Sequence, residues 1–386
     1  MPLSELAAEL AQHASLGLLR QRRTLEGVQQ PRAVVNGAPV LAFCSNDYLG
    51  LAADPRLIAA AQEGVARYGV GAGASHLVLG HATAHGALEA TLAQFVALPR
   101  ALLFSSGYLA NMAMITALAG RHDAIFADKL NHASLNDAAL LSRATLKRYP
   151  HADLDTLEQM LRSTRARRRL IVSDAVFSMD GDLADVPRLI ELCERHGAWL
   201  VLDDAHGFGV LGAGGRGTLA HFGVAHERIV YMATLGKAAG VSGAFVAGAP
   251  EVIETLMQRG RSYIYTTAAP AALAHTLLAS IAIIGEEHWR RDRLRALIAQ
   301  LGSEFNGLRW ALMRSETPIQ PLLVGDNVAA VDLAAALVHR GLMVPAIRPP
   351  TVPAGTARLR ISLSAAHEPC DVTLLARALH DISGQS

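Results

Sequence analysis

The chain has 386 residues, 51% hydrophobic, 5% aromatic and 18% charged, with 35 basic against 34 acidic side chains and a formal net charge of +1. Balanced charge excludes the broad basic face that nonspecific nucleic-acid binding needs, and a mean hydropathy of +0.25 describes an Ala/Leu/Val-rich interior able to fold without staples. Three cysteines, Cys44, Cys193 and Cys370, lie far apart with no CxxC, which argues against a disulfide framework or a zinc ribbon and reads as a reduced, intracellular protein.

In chain order, the first nineteen residues carry acids early, with no basic stretch before an apolar run and no cleavage box, so they predict a helix rather than an export signal. Short apolar runs then alternate with helical spacing. Strands are expected at 100–105, 124–128, 170–174, 198–203, 229–234 and 244–248, and helices over 108–118, from about His132, and over 186–195. Strands apolar on both faces and separated by helices imply crossover connections and a mainly parallel sheet. Arg165, Arg167, Arg168 and Arg169 read as a solvated helix end. The stretch from Thr266 to Gly285 lacks Asp, Glu, Lys and Arg, but Pro270, His275 and its abundant alanine predict a buried helix of small residues rather than a membrane span. Composition turns highly charged after Gly285. The expected organisation is an N-terminal helical arm (1–45), a large α/β domain (46–285) with a mainly parallel sheet flanked by helices, and a smaller C-terminal α+β domain (286–386).

Ligands of open α/β sheets gather at the carboxyl ends of the strands, so those ends carry the candidates. Among 35 basic side chains only three are lysines, Lys129, Lys147 and Lys237. A guanidinium forms no ordinary imine with an aldehyde, whereas a desolvated amine does. Lys237 stands just past a predicted strand in Thr234-Leu-Gly-Lys-Ala-Ala-Gly, among small residues, and is the candidate imine-forming lysine. The run Leu200-Val-Leu-Asp203-Asp204-Ala-His206-Gly207 delivers two acids and a histidine to another strand end. A carboxylate there suits a pyridine nitrogen and the histidine a phenolic oxygen, although an aspartate capping the following turn has the same appearance. Phe104-Ser-Ser-Gly107-Tyr108 leads a strand through glycine into a helix, a weak signal for a phosphate site.

Other chemistries fit less well. Gly207-Phe-Gly209-Val-Leu-Gly212 matches a dinucleotide fingerprint, but Asp-Asp-Ala-His separates it from its strand and loop residues follow. His81 and His85, four apart, suggest one helix face, yet no third metal ligand at a sensible spacing accompanies them, which favours a structural role. No G-x-S-x-G elbow is present.

The motifs Ser45-Asn-Asp-Tyr-Leu-Gly-Leu51, Asn131-His-Ala-Ser134, Val176-Phe-Ser-Met-Asp-Gly-Asp182, Asp203-Asp-Ala-His-Gly-Phe-Gly209, Gly236-Lys-Ala-Ala-Gly-Val-Ser-Gly243 and the run from Ile347 to Arg360 resemble, together and across residues 17–380, the α-oxoamine synthase family of fold-type-I pyridoxal-phosphate transferases. The resemblance implies pyridoxal 5'-phosphate bound covalently to Lys237, with Asp203 at the ring nitrogen, His206 and Ser178 near the phenolic oxygen, and His132 on the ring face. Gly107, Tyr108 and Thr234 would cradle the phosphate. Thr266 or Thr267 would reach it from the neighbouring chain of a homodimer. Arg360 resembles the anchor for the amino-acid carboxylate, Arg20 and Thr351 positions lining the acyl-donor site, and Asn46 a residue near the substrate. The motif ending at Arg360, with the run from Ile319 to Asn327, favours a member using L-alanine and a pimeloyl thioester (on coenzyme A or acyl carrier protein) over relatives using glycine. Lys237 would then serve as the base that removes the Cα proton. A cytoplasmic enzyme is expected, without nucleic-acid or membrane partners. Three positions depart from the family pattern: the 74–79 segment, Asp174 in place of a glutamate, and Phe208 in place of a small residue.

Overall fold

Seven strands form the central sheet, in the order Arg100–Phe104, Ala244–Gly248, Ile229–Thr234, Trp199–Asp203, Arg169–Asp174, Ala124–Asp128 and Thr145–Tyr149. Ala244–Gly248 runs antiparallel to both of its neighbours, and the other pairings are parallel. Ala124–Asp128 and Ala244–Gly248 are buried at every residue, which explains why these strands read as unbroken apolar runs rather than alternating ones. Thr145–Tyr149 differs. It is an edge strand, half-solvated and carrying Lys147 and Arg148, so its sequence shows no apolar run from which to predict it.

The computed structural model describes residues 3–16, 18–20 and 22–384. The chain divides into two units: Leu51–Ser178 with Asp182–Trp289, which holds the seven-stranded sheet, and Met1–Gly50 with Met179–Gly181 and Arg290–Ser386. The second unit contains two four-stranded sheets. In one of them Leu342–Met343 pairs in parallel with Leu41 and Ala42, which joins the N-terminal strands to the C-terminal part of the chain. The N-terminal helix spans Leu3–Ser15 and has no buried residue.

The uncharged stretch after Thr266 becomes the helix Ala271–Glu286, largely buried. Among the described residues no helix is long and apolar enough to cross a membrane. All three cysteines are free.

Parallel register fixes the chemistry at the strand ends. Asp174 lies opposite Asp203 in adjacent strands, so two carboxylates arrive side by side. A third, Asp128, ends the next strand and is bound by His151, whose Nδ1 lies 3.1 Å from both carboxylate oxygens while its Nε2 lies 2.8 Å from Asp182. The imidazole also meets the Phe177 ring edge-on at 4.4 Å. His151 thus clamps a strand end to the 176–183 turn. Burial alone would depress its pKa, but the two carboxylates outweigh burial and raise it to about 10.

Because the folded pKa lies above that of the unfolded chain, the clamp contributes fully below about pH 6.5 and its contribution fades as pH rises toward 10. His151→Asn leaves Asp128 buried without its cation and should cost about 3 kcal/mol at pH 6. Denaturant unfolding of both proteins at pH 6 and pH 9.5 should show this difference shrinking at the higher pH. A difference independent of pH would exclude a charged clamp.

Candidate functional site

The strand Trp199–Asp203 ends in two adjacent acids that the fold uses differently. Asp204 is fully buried; it accepts from the backbone N–H of Thr218 at 2.7 Å, from the Thr218 hydroxyl, and from the Tyr231 hydroxyl at 2.8 Å. Burial pushes its pKa up to about 6 despite those donors. Asp204 is therefore the turn-organising acid, a role open to either residue on sequence alone. Asp203 is 4% exposed; its Oδ1 accepts from the N–H of Ala205 at 3.0 Å and its Oδ2 from Asn111 Nδ2 at 2.7 Å.

Asn111 joins two expected site residues into one network. Its Nδ2 also donates to Ser134 Oγ at 2.8 Å, and Ser134 Oγ lies 2.7 Å from His132 Nδ1. Asn111 is 1% exposed and its Oδ1 has no hydrogen-bond partner in the protein. A buried asparagine that uses both donors and leaves its acceptor open is held for the sake of what it orients. His132 is the N-cap of the helix Ala133–Ser142. Its N–H donates at 2.6 Å to Asp174, the residue that replaces a longer glutamate. Burial, and then the neighbouring Asp203, raise the Asp174 pKa well above its usual value. Burial also lowers that of His132, which favours the neutral imidazole.

Lys237 follows the strand Ile229–Thr234 in a tight turn. The turn closes through Gly240 N–H to the Lys237 carbonyl at 2.8 Å. Gly240 has φ +69°, and a Cβ there would meet the backbone of Leu51 and Ala52 at 2.7 Å, so glycine is required. Lys237 Nζ lies 2.9 Å from His206 Nε2. The helix Gly107–Leu118 begins with Ser106 as its N-cap, its Oγ accepting from Leu109 N–H at 3.3 Å. A Cβ on Gly107 would come within 2.6 Å of Thr234 Cγ2. The helix start and the end of the strand that precedes Lys237 therefore approach closely at expected phosphate-site residues, and first-turn N–H groups there suit an anion. The Tyr108 hydroxyl donates to Asp137 at 2.7 Å. Ser178 is half-buried, and Thr266 and Thr267 lie on the segment before the helix Ala271–Glu286, Thr267 being exposed.

The other unit holds the remaining candidates in two groups. Arg360 is 6% exposed, and its guanidinium donates to Ser362 Oγ at 2.8 Å, Asn46 Oδ1 at 3.2 Å and the Tyr48 hydroxyl at 3.4 Å. Arg20 and Thr351 line one cleft of about 720 Å³, together with Arg23, Arg348, Leu18 and Val331. Guanidinium groups around an apolar trough suit an acyl chain that ends in an anion. A larger cleft, about 960 Å³, lies by Val28, Leu41, Leu342 and Leu374 and contains none of the expected residues.

Sequence reasoning gave no role to Asn111, Tyr48 and Arg348, which stand inside its motifs, and did not single out Arg23. The first had a usable signal: Gly107 and Asn111 are four apart in a helix, so a buried polar side chain shares a face with the phosphate-site glycine. The metal reading also needs correction. His81 precedes the helix Thr83–Phe95 rather than sharing a face of it with His85, and a one-turn π-helix, His76–Gly80, brings in a third imidazole, His76. Phe208 is buried, packing edge-on against Phe95 and Phe245.

The chain matches the family model for class I and II aminotransferases over residues 38–379. It is 62% identical to an 8-amino-7-oxononanoate synthase of Nitrosomonas europaea, with 99% of each chain covered. Among solved structures it resembles Sphingomonas wittichii serine palmitoyltransferase (TM-score 0.92, 30% identity, 99% of this chain and 96% of that one). It also resembles 8-amino-7-oxononanoate synthase from Francisella tularensis (TM-score 0.78, 30% identity, 90% of this chain and 98% of that one).

Asn111→Ala strips donors from Asp203 and Ser134 together. Denaturant unfolding at pH 7 should show a loss of about 2 kcal/mol, with the His132 imidazole resonances displaced in NMR spectra. A variant as stable as the parent, with His132 unmoved, would show that the network does not hold the site.

Proposed function

Because the chain belongs to the 8-amino-7-oxononanoate synthases of the class I and II aminotransferase family, we propose that it condenses L-alanine with a pimeloyl thioester, on coenzyme A or acyl carrier protein, releasing CO2 and the thiol. The product is 8-amino-7-oxononanoate, a step of biotin biosynthesis. The observation that carries this reading is the 2.9 Å approach of Lys237 Nζ to His206 Nε2, with His206 three residues beyond the buried Asp203 carboxylate.

The cofactor is pyridoxal 5'-phosphate, and the residues fit it. One amine stands among small neighbours, one buried carboxylate is organised by two donors, and a helix start is kept clear by glycine against Thr234. When bound, the group supplies an aldehyde carbon for an amine and a protonated ring that accepts electrons from the amino acid Cα.

The chain's own residues do the rest. Asp203, fixed by Asn111 and Ala205, would hold the proton on the ring nitrogen. Gly107, Tyr108 and Thr234 would hold the phosphate, and Ser178 and His206 would lie near the phenolic oxygen. Lys237 Nζ takes the proton from the alanine Cα, and the adjacent His206 nitrogen keeps the amine oriented for that transfer. His132, neutral and locked through Ser134, offers its ring face. Arg360 binds the alanine carboxylate, with Asn46 and Tyr48 holding the guanidinium in its plane. Arg20 and Thr351, with Arg23 and Arg348 beside them, hold the pimeloyl chain and draw its distal carboxylate into the cleft.

A homodimer is part of this proposal. Val78, Leu79 and Tyr265 are 79%, 87% and 71% exposed, an apolar face of the kind a second copy covers, and Thr267 lies two residues from Tyr265. Residence in the cytoplasm accords with the free cysteines.

Mass spectrometry of the products formed from pimeloyl thioester with L-alanine, glycine or L-serine tests the reaction. Alanine should give 8-amino-7-oxononanoate at the highest rate; preference for glycine would assign the chain to a different condensation. Lys237→Ala should fold with an unchanged melting temperature but lose at least ~10³-fold in turnover. Appreciable activity in that variant would remove the lysine from the reaction.

A further inference from the structure

Outside the cofactor site, three histidines converge where the function has no use for them. His76, His81 and His85 each offer a ring nitrogen, and these nitrogens lie within 4.8 Å of one another. The π-turn His76–Gly80 causes the convergence by turning the chain back so that His76 faces the start of the helix Thr83–Phe95. Single turns of this kind recur at functional sites. His76 is 9% exposed and stacks on Tyr263, with ring centroids 5.2 Å apart and planes within 6°. His81 is exposed in the single chain.

The hydrogen bonds already select ligand atoms. His85 Nε2 lies 2.8 Å from the carbonyl of Ala269 and so carries the ring proton, which leaves the lone pair on Nδ1. That lone pair accepts the N–H of Ala82 at 3.0 Å, a hydrogen bond that an ion would replace on coordination. A histidine whose outer nitrogen donates to a backbone carbonyl is the usual form of a metal ligand. The Nδ1 atoms of His76 and His81 are 3.0 Å apart and share one proton. Two nitrogens bound tetrahedrally to one zinc at about 2.05 Å are separated by about 3.3 Å.

We propose that His76, His81 and His85 form a site for a divalent transition-metal ion of the zinc class, bound through their three Nδ1 atoms with water completing the shell. No proton need leave the protein: the hydrogen shared by His76 and His81 moves to Nε2 of its own ring, and all three rings bind neutral. Burial lowers the pKa of all three, that of His76 to about 4, so protons compete little at neutral pH. The exposed His81 is the ring that moves to close the shell. Imidazole donors favour zinc, nickel and copper over magnesium and calcium.

The ion would have a structural consequence. Ala74 accepts from the N–H of Ala268 at 3.0 Å, and His85 holds Ala269, so the cluster fastens the 74–81 turn to the segment that carries Thr266 and Thr267.

The test is zinc titration of the assembled, cofactor-loaded enzyme, with metal content after desalting and thermal unfolding as readouts. We expect about one zinc per chain and a raised melting temperature. His81→Ala changes an exposed residue and should preserve the fold and the basal activity, yet weaken zinc binding at least ~10-fold. His122→Ala, at another exposed histidine, should bind like the parent. Cobalt in place of zinc should give visible d–d bands that His81→Ala loses. Failure to retain zinc, or equal retention by the His81 and His122 variants, would overturn the site.

Discussion

A carboxylate placed in a dry interior has to be supplied with donors, and the arrangement around Asp203 follows from that requirement. The backbone of Ala205 and the amide of Asn111 each satisfy one oxygen. Asn111 passes the constraint to Ser134, and Ser134 passes it to His132. Asp203 and His132, the residues proposed to face the ring nitrogen and the ring, are thus linked through one buried asparagine. Such a network is costly when incomplete and specific when complete.

Neighbouring acids take on separate tasks through their surroundings alone. Asp203 and Asp204 are consecutive, but their side chains meet different partners, and Asp204 is used up by Thr218 and Tyr231 in holding the turn. Asp174, beside Asp203 in register, reaches the backbone of His132 despite lacking one methylene of the usual glutamate. That contact holds the start of the helix Ala133–Ser142 to the strand end.

The central sheet was legible because strands buried on both faces announce themselves as apolar runs, and the runs at 124–128 and 244–248 are buried throughout. The edge strand Thr145–Tyr149 was not, since one side of it meets water. Lys237 stood out because so few lysines occur, and the acids and histidine of 203–206 because an apolar strand led into them. Asn111 went unnoticed inside a helix of apolar residues, where a single polar letter carries little weight until its partners, 23 and 92 residues away, are known. The same limit hid His76, whose approach to His81 depends on a π-turn that no periodicity encodes, and the pairing of Leu342–Met343 with Leu41 and Ala42.

The account depends on which amine carries the cofactor. Borohydride reduction of the holoenzyme, followed by digestion and peptide mass spectrometry, reads this directly. The account predicts a pyridoxyl phosphate adduct on the peptide containing Lys237, at one per chain. An adduct on Lys129 or Lys147 instead, or none on any lysine, would contradict it.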